Sequence, residues 1–214
     1  MREQQADQGK VDGGKRMKVE SIVLGSIGTN CYIVTNEETK ECFAVDMAEC
    51  PQEYVNYIKN NGLEMKALFL THGHFDHIMG IDDFLKAFPV PVYAGEDELP
   101  VIEDDRLNVS SMYGPKYAFH GAKPVKDGQV IECAGIEVDV LHTPGHTVGG
   151  CCYYLPKRTQ TVQRRYTVLC FHRKNRPPDR KQQPAGPLCT GEDHDTSGRY
   201  KDLSGTYGRD ISSV

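Results

Sequence analysis

From Met17 onward the chain falls into short apolar runs separated by turn residues. "MKVESIVLG" and "NCYIVT" are rich in β-branched and aromatic residues, with Gly25, Ser26, Gly28 and Asn30 between them, and "ECFAVDM" follows. Three such runs in succession predict a β-meander. The period then changes: in "PQEYVNYIKNNG" the residues Tyr54, Val55 and Ile58 recur at helical spacing, with Pro51 at the first turn and Gly62 at the close. "KALFL" reads as a short buried strand, Asp82 to Phe88 as a helix and "VPVYAG" as a strand. "QVIECAGIEVDVLHT" reads as two strands turning at Ala134-Gly135, and "GCCYYLP" adds one more. Strands with interspersed helices over this length predict an α/β sandwich, sheets inside and helices outside.

A chain of 214 residues suits one domain with a real core. No apolar stretch follows a basic head and no window reaches the length of a membrane span, so neither export nor insertion is predicted and the expected location is cytoplasmic. Among the eight cysteines, Cys31, Cys42 and Cys133 lie inside β-like apolar runs, which predicts buried free thiols rather than a disulfide framework. The net charge of −5 is unevenly spread: of 25 basic and 30 acidic residues, 12 basic but only 6 acidic fall in residues 157–214.

The chemistry concentrates in "LTHGHFDHIMG", just after the apolar run ending at Leu70. His72, His74, Asp76 and His77 follow the pattern H-x-H-x-D-H, which a loop at a strand end can aim at one point. Imidazole nitrogens with a carboxylate suit zinc, and iron or manganese also accept them. "LHTPGHTVGG" later supplies His142 and His146, with Pro144-Gly145 forming a turn that aims His146 back at the cluster. His142 is expected to pack or to orient its neighbours.

These motifs, with "GSIGTNCYIV" and "FAVDMAE" before them, resemble the metallo-β-lactamase superfamily, particularly its small glyoxalase II-like members; the resemblance covers roughly residues 17–156. It implies an αββα sandwich in which His72, His74 and His146 hold a first metal and Asp76 and His77 contribute to a second. One or two zinc ions are implied, with iron or manganese as substitutes. The implied reaction is attack of metal-activated water on the carbonyl of a small-molecule thioester or ester, Asp76 helping to position that water. Asp46 resembles a residue that orients a ligand from behind. His74 in place of a glutamate disfavours the flavo-diiron branch. The family further implies an aspartate in a "GDTLF"-like motif and a histidine in a "YPGH"-like motif downstream of His146. In this reading frame neither is present, so the sandwich is expected to be incomplete at its C-terminal side.

The genetic code offers an explanation. Read one nucleotide later, the codons for "TVQRRYTVL" (161–169) permit Leu-Tyr-(Asn or Ser)-Gly-Asp-Thr-Leu-Phe, and those for "RYKDLSGTYG" (199–208) permit Asp-Thr-Lys-Ile-Tyr-Pro-Gly-His-Met. Both missing motifs lie in the same shifted frame. A frameshift near residues 156–160 is therefore expected, with residues 157–214 a non-native, disordered basic tail. Shifted triplets of the CGN type account for its arginines without a nucleic-acid partner. Residues 1–16 lack periodicity and are expected to be disordered; Gly13-Gly14 permit a ribosome-binding sequence suitably placed before the Met17 codon, which makes this stretch a translated leader. Three readings of function follow: a glyoxalase II-like metallohydrolase, a mononuclear iron dioxygenase acting on persulfides, or a truncated metal-binding product without turnover. Oligomeric state and substrate identity are not legible.

Overall fold

The computed structural model describes residues 16–157, 165–170, 199–201 and 207–209. Two sheets carry the fold. The first has six strands in sequence order: β1 (Met17–Leu24), β2 (Thr29–Asn36), β3 (Glu41–Val45), β4 (Glu64–Phe69), β5 (Val92–Gly95) and β6 (Lys123–Val125). β1, β2 and β3 pair antiparallel as the predicted meander, Met17 opposite Asn36 and Tyr32 opposite Val45. β3 to β6 pair parallel, because helical segments return the chain to the same edge before each of the next two strands. These segments are α1 (Gln52–Asn60), then α2 (Phe75–Ile78) and α3 (Ile81–Ala87). The predicted helix over 82–88 is thus displaced by one residue at each end.

The second sheet has the order β10-β9-β8-β7, all antiparallel: β7 (Val130–Cys133), β8 (Ile136–His142), β9 (Cys151–Lys157) and β10 (Arg165–Leu169). The β7–β8 hairpin turns at Ala134-Gly135, both at positive φ (54° and 68°), as a tight two-residue hairpin turn requires. A separate two-stranded ribbon joins β11 (Arg199–Lys201) to β12 (Tyr207–Arg209).

The alternation of buried positions explains the layering. On β2 to β4, Cys31, Ile33, Cys42, Ala44 and Leu68 face Tyr54, Val55 and Ile58 of α1 and Ile81 and Phe84 of α3. The opposite face supplies Val34, Phe43, Val45 and Phe69 to a second core, met by Val138, Val140, Tyr153 and Leu155 from the other sheet. Phe69 is central there, edge-on to Phe43 and Tyr153 and stacked on Tyr93, with centroids 5.1–5.2 Å apart. The layers are helices, sheet, sheet. Among the described residues no helix covers the outer face of the four-stranded sheet.

Two expectations need correction. Cys152 and Cys170 form a disulfide, so not every cysteine is a free thiol, although Cys31, Cys42, Cys133 and Cys151 are buried and free. The bridge is geometrically natural, since β10 lies beside β9 and brings the residue after Leu169 next to Cys152. The expected structureless tail from residue 157 does not hold for 165–169, 199–201 and 207–209, which are strands; in β10 Thr167 is buried and Leu169 joins the second core. Residues 1–15 of the expected leader at 1–16, and residues 158–164, 171–198, 202–206 and 210–214 of the expected tail, lie outside the described residues.

Candidate metal centre

In parallel sheets the carboxyl ends of the strands open onto the crevice where ligands bind. Here β3 ends into Asp46, β4 into Thr71 and the histidine motif, and β5 into Glu98, while β8 ends at His142 and leads to His146. The two sheets are tied at this edge, where the Cys151 N–H donates to the Thr71 carbonyl (2.7 Å) and the Tyr153 hydroxyl to the Leu70 carbonyl (2.7 Å).

The structure gathers His72, His74, Asp76, His77 and His146 into two groups that share His72. Donor atoms of His72, His74 and His146 lie within 4.8 Å of one another, as do those of His72, Asp76 and His77. The rings of His74 and His146 meet at 2.9 Å between Nδ1 and Nε2, and His72 packs against both. His72 and His77 are buried, His74 and Asp76 are partly covered, and His146 is exposed. The centre is therefore walled at its base and open at its mouth. α2 carries Asp76 and His77, and the Thr29 hydroxyl holds the Asp76 carboxylate at 3.1 Å.

Behind the cluster stands Asp46, buried and at φ 60°, a left-handed conformation that aspartate tolerates better than most residues. Its Oδ1 accepts the Thr71 N–H (2.7 Å), and its Oδ2 accepts both the Thr71 hydroxyl (2.7 Å) and His77 Nδ1 (2.8 Å). Because the Thr71 hydroxyl spends its single proton on Asp46, it accepts from His72 Nδ1 at 3.2 Å. Asp46 thus fixes two tautomers, accepting the His77 Nδ1 proton directly and orienting the Thr71 hydroxyl that accepts the His72 Nδ1 proton, which leaves a lone pair on each Nε2. Such a carboxylate–imidazole arrangement supports a metal-binding histidine.

The electrostatics agree. Burial, reinforced by His77, His74 and His146, lowers the His72 pKa well below its ordinary value and keeps the ring neutral. Burial likewise lowers His74, chiefly against the pull of Asp76. For His77 burial also acts downward, but the Asp46 charge and hydrogen bond, with Asp76, outweigh it and raise the pKa. Neutral His72 and His74 with the Asp76 carboxylate form a donor set that fits a divalent metal of the zinc type, whereas a metal at His77 would have to displace the proton that its raised pKa favours.

His142 stands outside both groups and is hydrogen-bonded within its own loop. Its Nε2 lies 3.0 Å from the Val148 carbonyl, and its backbone N–H donates to Asp127. Sequence reasoning missed Thr71, Thr29 and Glu98. Glu98 is buried at the edge of the centre, where Oε1 accepts the Gly73 N–H (2.7 Å) and Oε2 the Gly149 N–H (2.8 Å). No local pattern marks Glu98, which sits in the acidic stretch "GEDELP".

Comparison with known proteins agrees with the geometry. Residues 24–159 match the model of the metallo-beta-lactamase superfamily. An uncharacterized protein of Aquifex aeolicus (strain VF5) is 30% identical over 149 residues, which cover 66% of this chain and 67% of that one. The "Probable metallo-hydrolase YqgX" of Bacillus subtilis (strain 168) is 30% identical over 141 residues, covering 65% of this chain and 66% of that one. The crystal structure of the BLEG-1 B3 metallo-beta-lactamase superposes with a TM-score of 0.60 at 32% identity, covering 64% of this chain and 67% of that one. The chain spans about two thirds of the length of the curated relatives it matches. Fold, motif order and convergence of the histidines agree, and the chain belongs to the metallo-beta-lactamase superfamily of metallohydrolases.

Proposed function

We propose that this chain derives from a glyoxalase II-like thioester or ester hydrolase, with His72, His74 and His146 holding one zinc ion and Asp76 and His77 contributing to a second. The observation that carries the reading is the convergence of three histidines from two distant loops, together with Asp46 fixing the tautomers of two rings. A bound zinc ion would lower the pKa of water and stabilise the oxyanion of the attacked carbonyl. The chain's own residues supply the rest. Asp46 and Thr71 keep the His72 ring neutral and oriented, and Thr29 holds the Asp76 carboxylate where it can orient the attacking water. The partly covered His74 and exposed His146 leave the mouth open to a small-molecule substrate.

The end of the family match at residue 159, well inside the chain, supports the frameshift reading of residues 157–214. In this reading residues 17–156 are the family domain and 1–16 a leader. In this reading the protein works in the cytosol. Among the described residues no helix is long and apolar enough to cross a membrane.

The test compares this chain with a version whose frame is restored from residue 157, measuring metal content and hydrolysis of a glutathione thioester. Two metals and turnover in the restored protein, with one metal and little turnover here, is the expected result. Equal metal content and activity would refute the frameshift reading. Bound iron with oxygen consumption on a glutathione persulfide would replace hydrolysis by dioxygenation.

A further inference from the structure

The histidines of the candidate centre come from two loops with no chain continuity. His72 and His74 flank Gly73 after β4, while His146 lies in the loop between β8 and β9 that ends at Gly149 and Gly150. A three-histidine site needs those loops held at a fixed separation before metal arrives, since ligand positions loose by an ångström sacrifice affinity. The Thr71–Cys151 bond ties them at the sheet edge. Nearer the ligands a single side chain spans the gap.

We infer that Glu98 is the positioning residue that clamps the two ligand-bearing loops together, one carboxylate oxygen on each. Glu98 is 1% exposed, sits in the 3-10 turn Glu96–Glu98 that follows β5, and touches neither histidine ring through any hydrogen bond described. Oε1 receives the amide of the residue between His72 and His74, and Oε2 receives an amide three residues after His146. Two buried N–H groups on different loops therefore have one shared acceptor.

The surrounding packing is built for this contact. A Cβ on Gly149 would stand 2.1 Å from the Glu98 backbone nitrogen and 2.4 Å from the Asp97 carbonyl carbon, so only glycine lets the His146 loop come close enough. A Cβ on Gly73 would meet Ile102 at 2.8 Å, and one on Gly95 the Gly149 carbonyl oxygen at 2.2 Å. α4 (Leu99–Ile102) anchors the clamp from behind, with Ile102 fully buried in the helix-side core. Glutamate is the fitting residue, because both contacts require an acceptor. In a glutamine of the same length one terminus is an NH2 group, which would face a backbone donor.

The inference rests on the metal-site reading for its consequence, but the clamp has a readout of its own. Amide hydrogen exchange is followed at Gly73 and Gly149 in the metal-free parent, in Glu98→Gln, and in Val55→Ala, a core truncation on α1. Cobalt(II) binding is followed by its visible spectrum in the same three proteins. In the parent both amides should be protected to a similar degree. In Glu98→Gln at least one should exchange about tenfold faster or more, as expected for loss of a buried hydrogen bond. Cobalt affinity should fall by about 10- to 100-fold in Glu98→Gln, while Val55→Ala lowers Tm without moving affinity or the spectrum.

Unprotected Gly73 or Gly149 amides in the parent would overturn the clamp without need of any variant. So would unchanged protection in Glu98→Gln, or a cobalt-affinity loss in Val55→Ala matching that of Glu98→Gln at equal Tm. If the amides respond as expected but the parent binds no cobalt, the clamp stands and the metal-site reading falls.

Discussion

Asp46→Asn separates the carboxylate's electrostatic work from its shape. Asparagine keeps the side-chain volume and tolerates the left-handed backbone at φ 60°, so backbone strain is not introduced. One oxygen can still accept the Thr71 N–H, but the other position becomes an NH2 group facing Thr71 Oγ1 and His77 Nδ1, which now stand 2.7 and 2.8 Å from a carboxylate oxygen. Both must turn into acceptors. The His77 proton then moves to Nε2, which lies 3.6 Å from Asp76 Oδ2, and the Thr71 hydroxyl turns to donate to His72 Nδ1, moving that ring's proton to Nε2 as well. Two candidate ligand nitrogens are thereby protonated in the neutral state. Loss of a charge-assisted buried hydrogen bond costs about 1.5–3 kcal/mol, and loss of such support typically lowers metal affinity by about 10- to 100-fold. Competitive zinc titration measures the affinity, and thermal denaturation without metal measures the fold. A Tm fall of roughly 3–10 °C is expected with that affinity loss. Asp46→Ala should lose further stability, roughly 1–2 kcal/mol, through left-handed strain alone. Zinc affinity in Asp46→Asn equal to that of the parent would refute the tautomer argument.

Other expectations follow from particular residues. Phe69→Ala removes the ring at the centre of the inter-sheet aromatic cluster, so a loss of about 3–5 kcal/mol is expected by chemical denaturation, and a loss under 1 kcal/mol would contradict the packing described. His72 is held neutral by burial and by its histidine neighbours; a group whose folded pKa lies below its unfolded value contributes stability above the unfolded pKa and loses it as pH falls. Metal-free parent should therefore lose Tm between about pH 7 and pH 5 more steeply than His72→Asn, and parallel curves would show that His72 does not carry this acid sensitivity. Zinc should likewise leave the parent on acidification, since protons compete for the same nitrogens, and retention at about pH 4 would argue against imidazole ligation.

Much of this was legible because the chain is locally consistent. The meander at 17–45, the α1 periodicity of Tyr54, Val55 and Ile58, and the Ala134-Gly135 hairpin all follow from patterns that the packing reinforces. The histidine cluster was legible because H-x-H-x-D-H is compact. Glu98 was not, because "GEDELP" reads as solvated charge; its burial depends on two loops meeting at the end of β5, a long-range fact that no local pattern carries. β10 was missed for a different reason. "RYTVL" lies in an arginine-rich stretch, and its strand character shows only in its pairing with β9.

In the proposed function His72, His74 and His146 form one metal site. The most direct test is a competitive zinc titration of the parent beside His146→Ala, whose exposed ring contributes nothing to the core. The expected result is a tight site in the parent that weakens by several orders of magnitude in the variant at unchanged Tm of the metal-free proteins. Equal zinc affinity in the two proteins would contradict the claim.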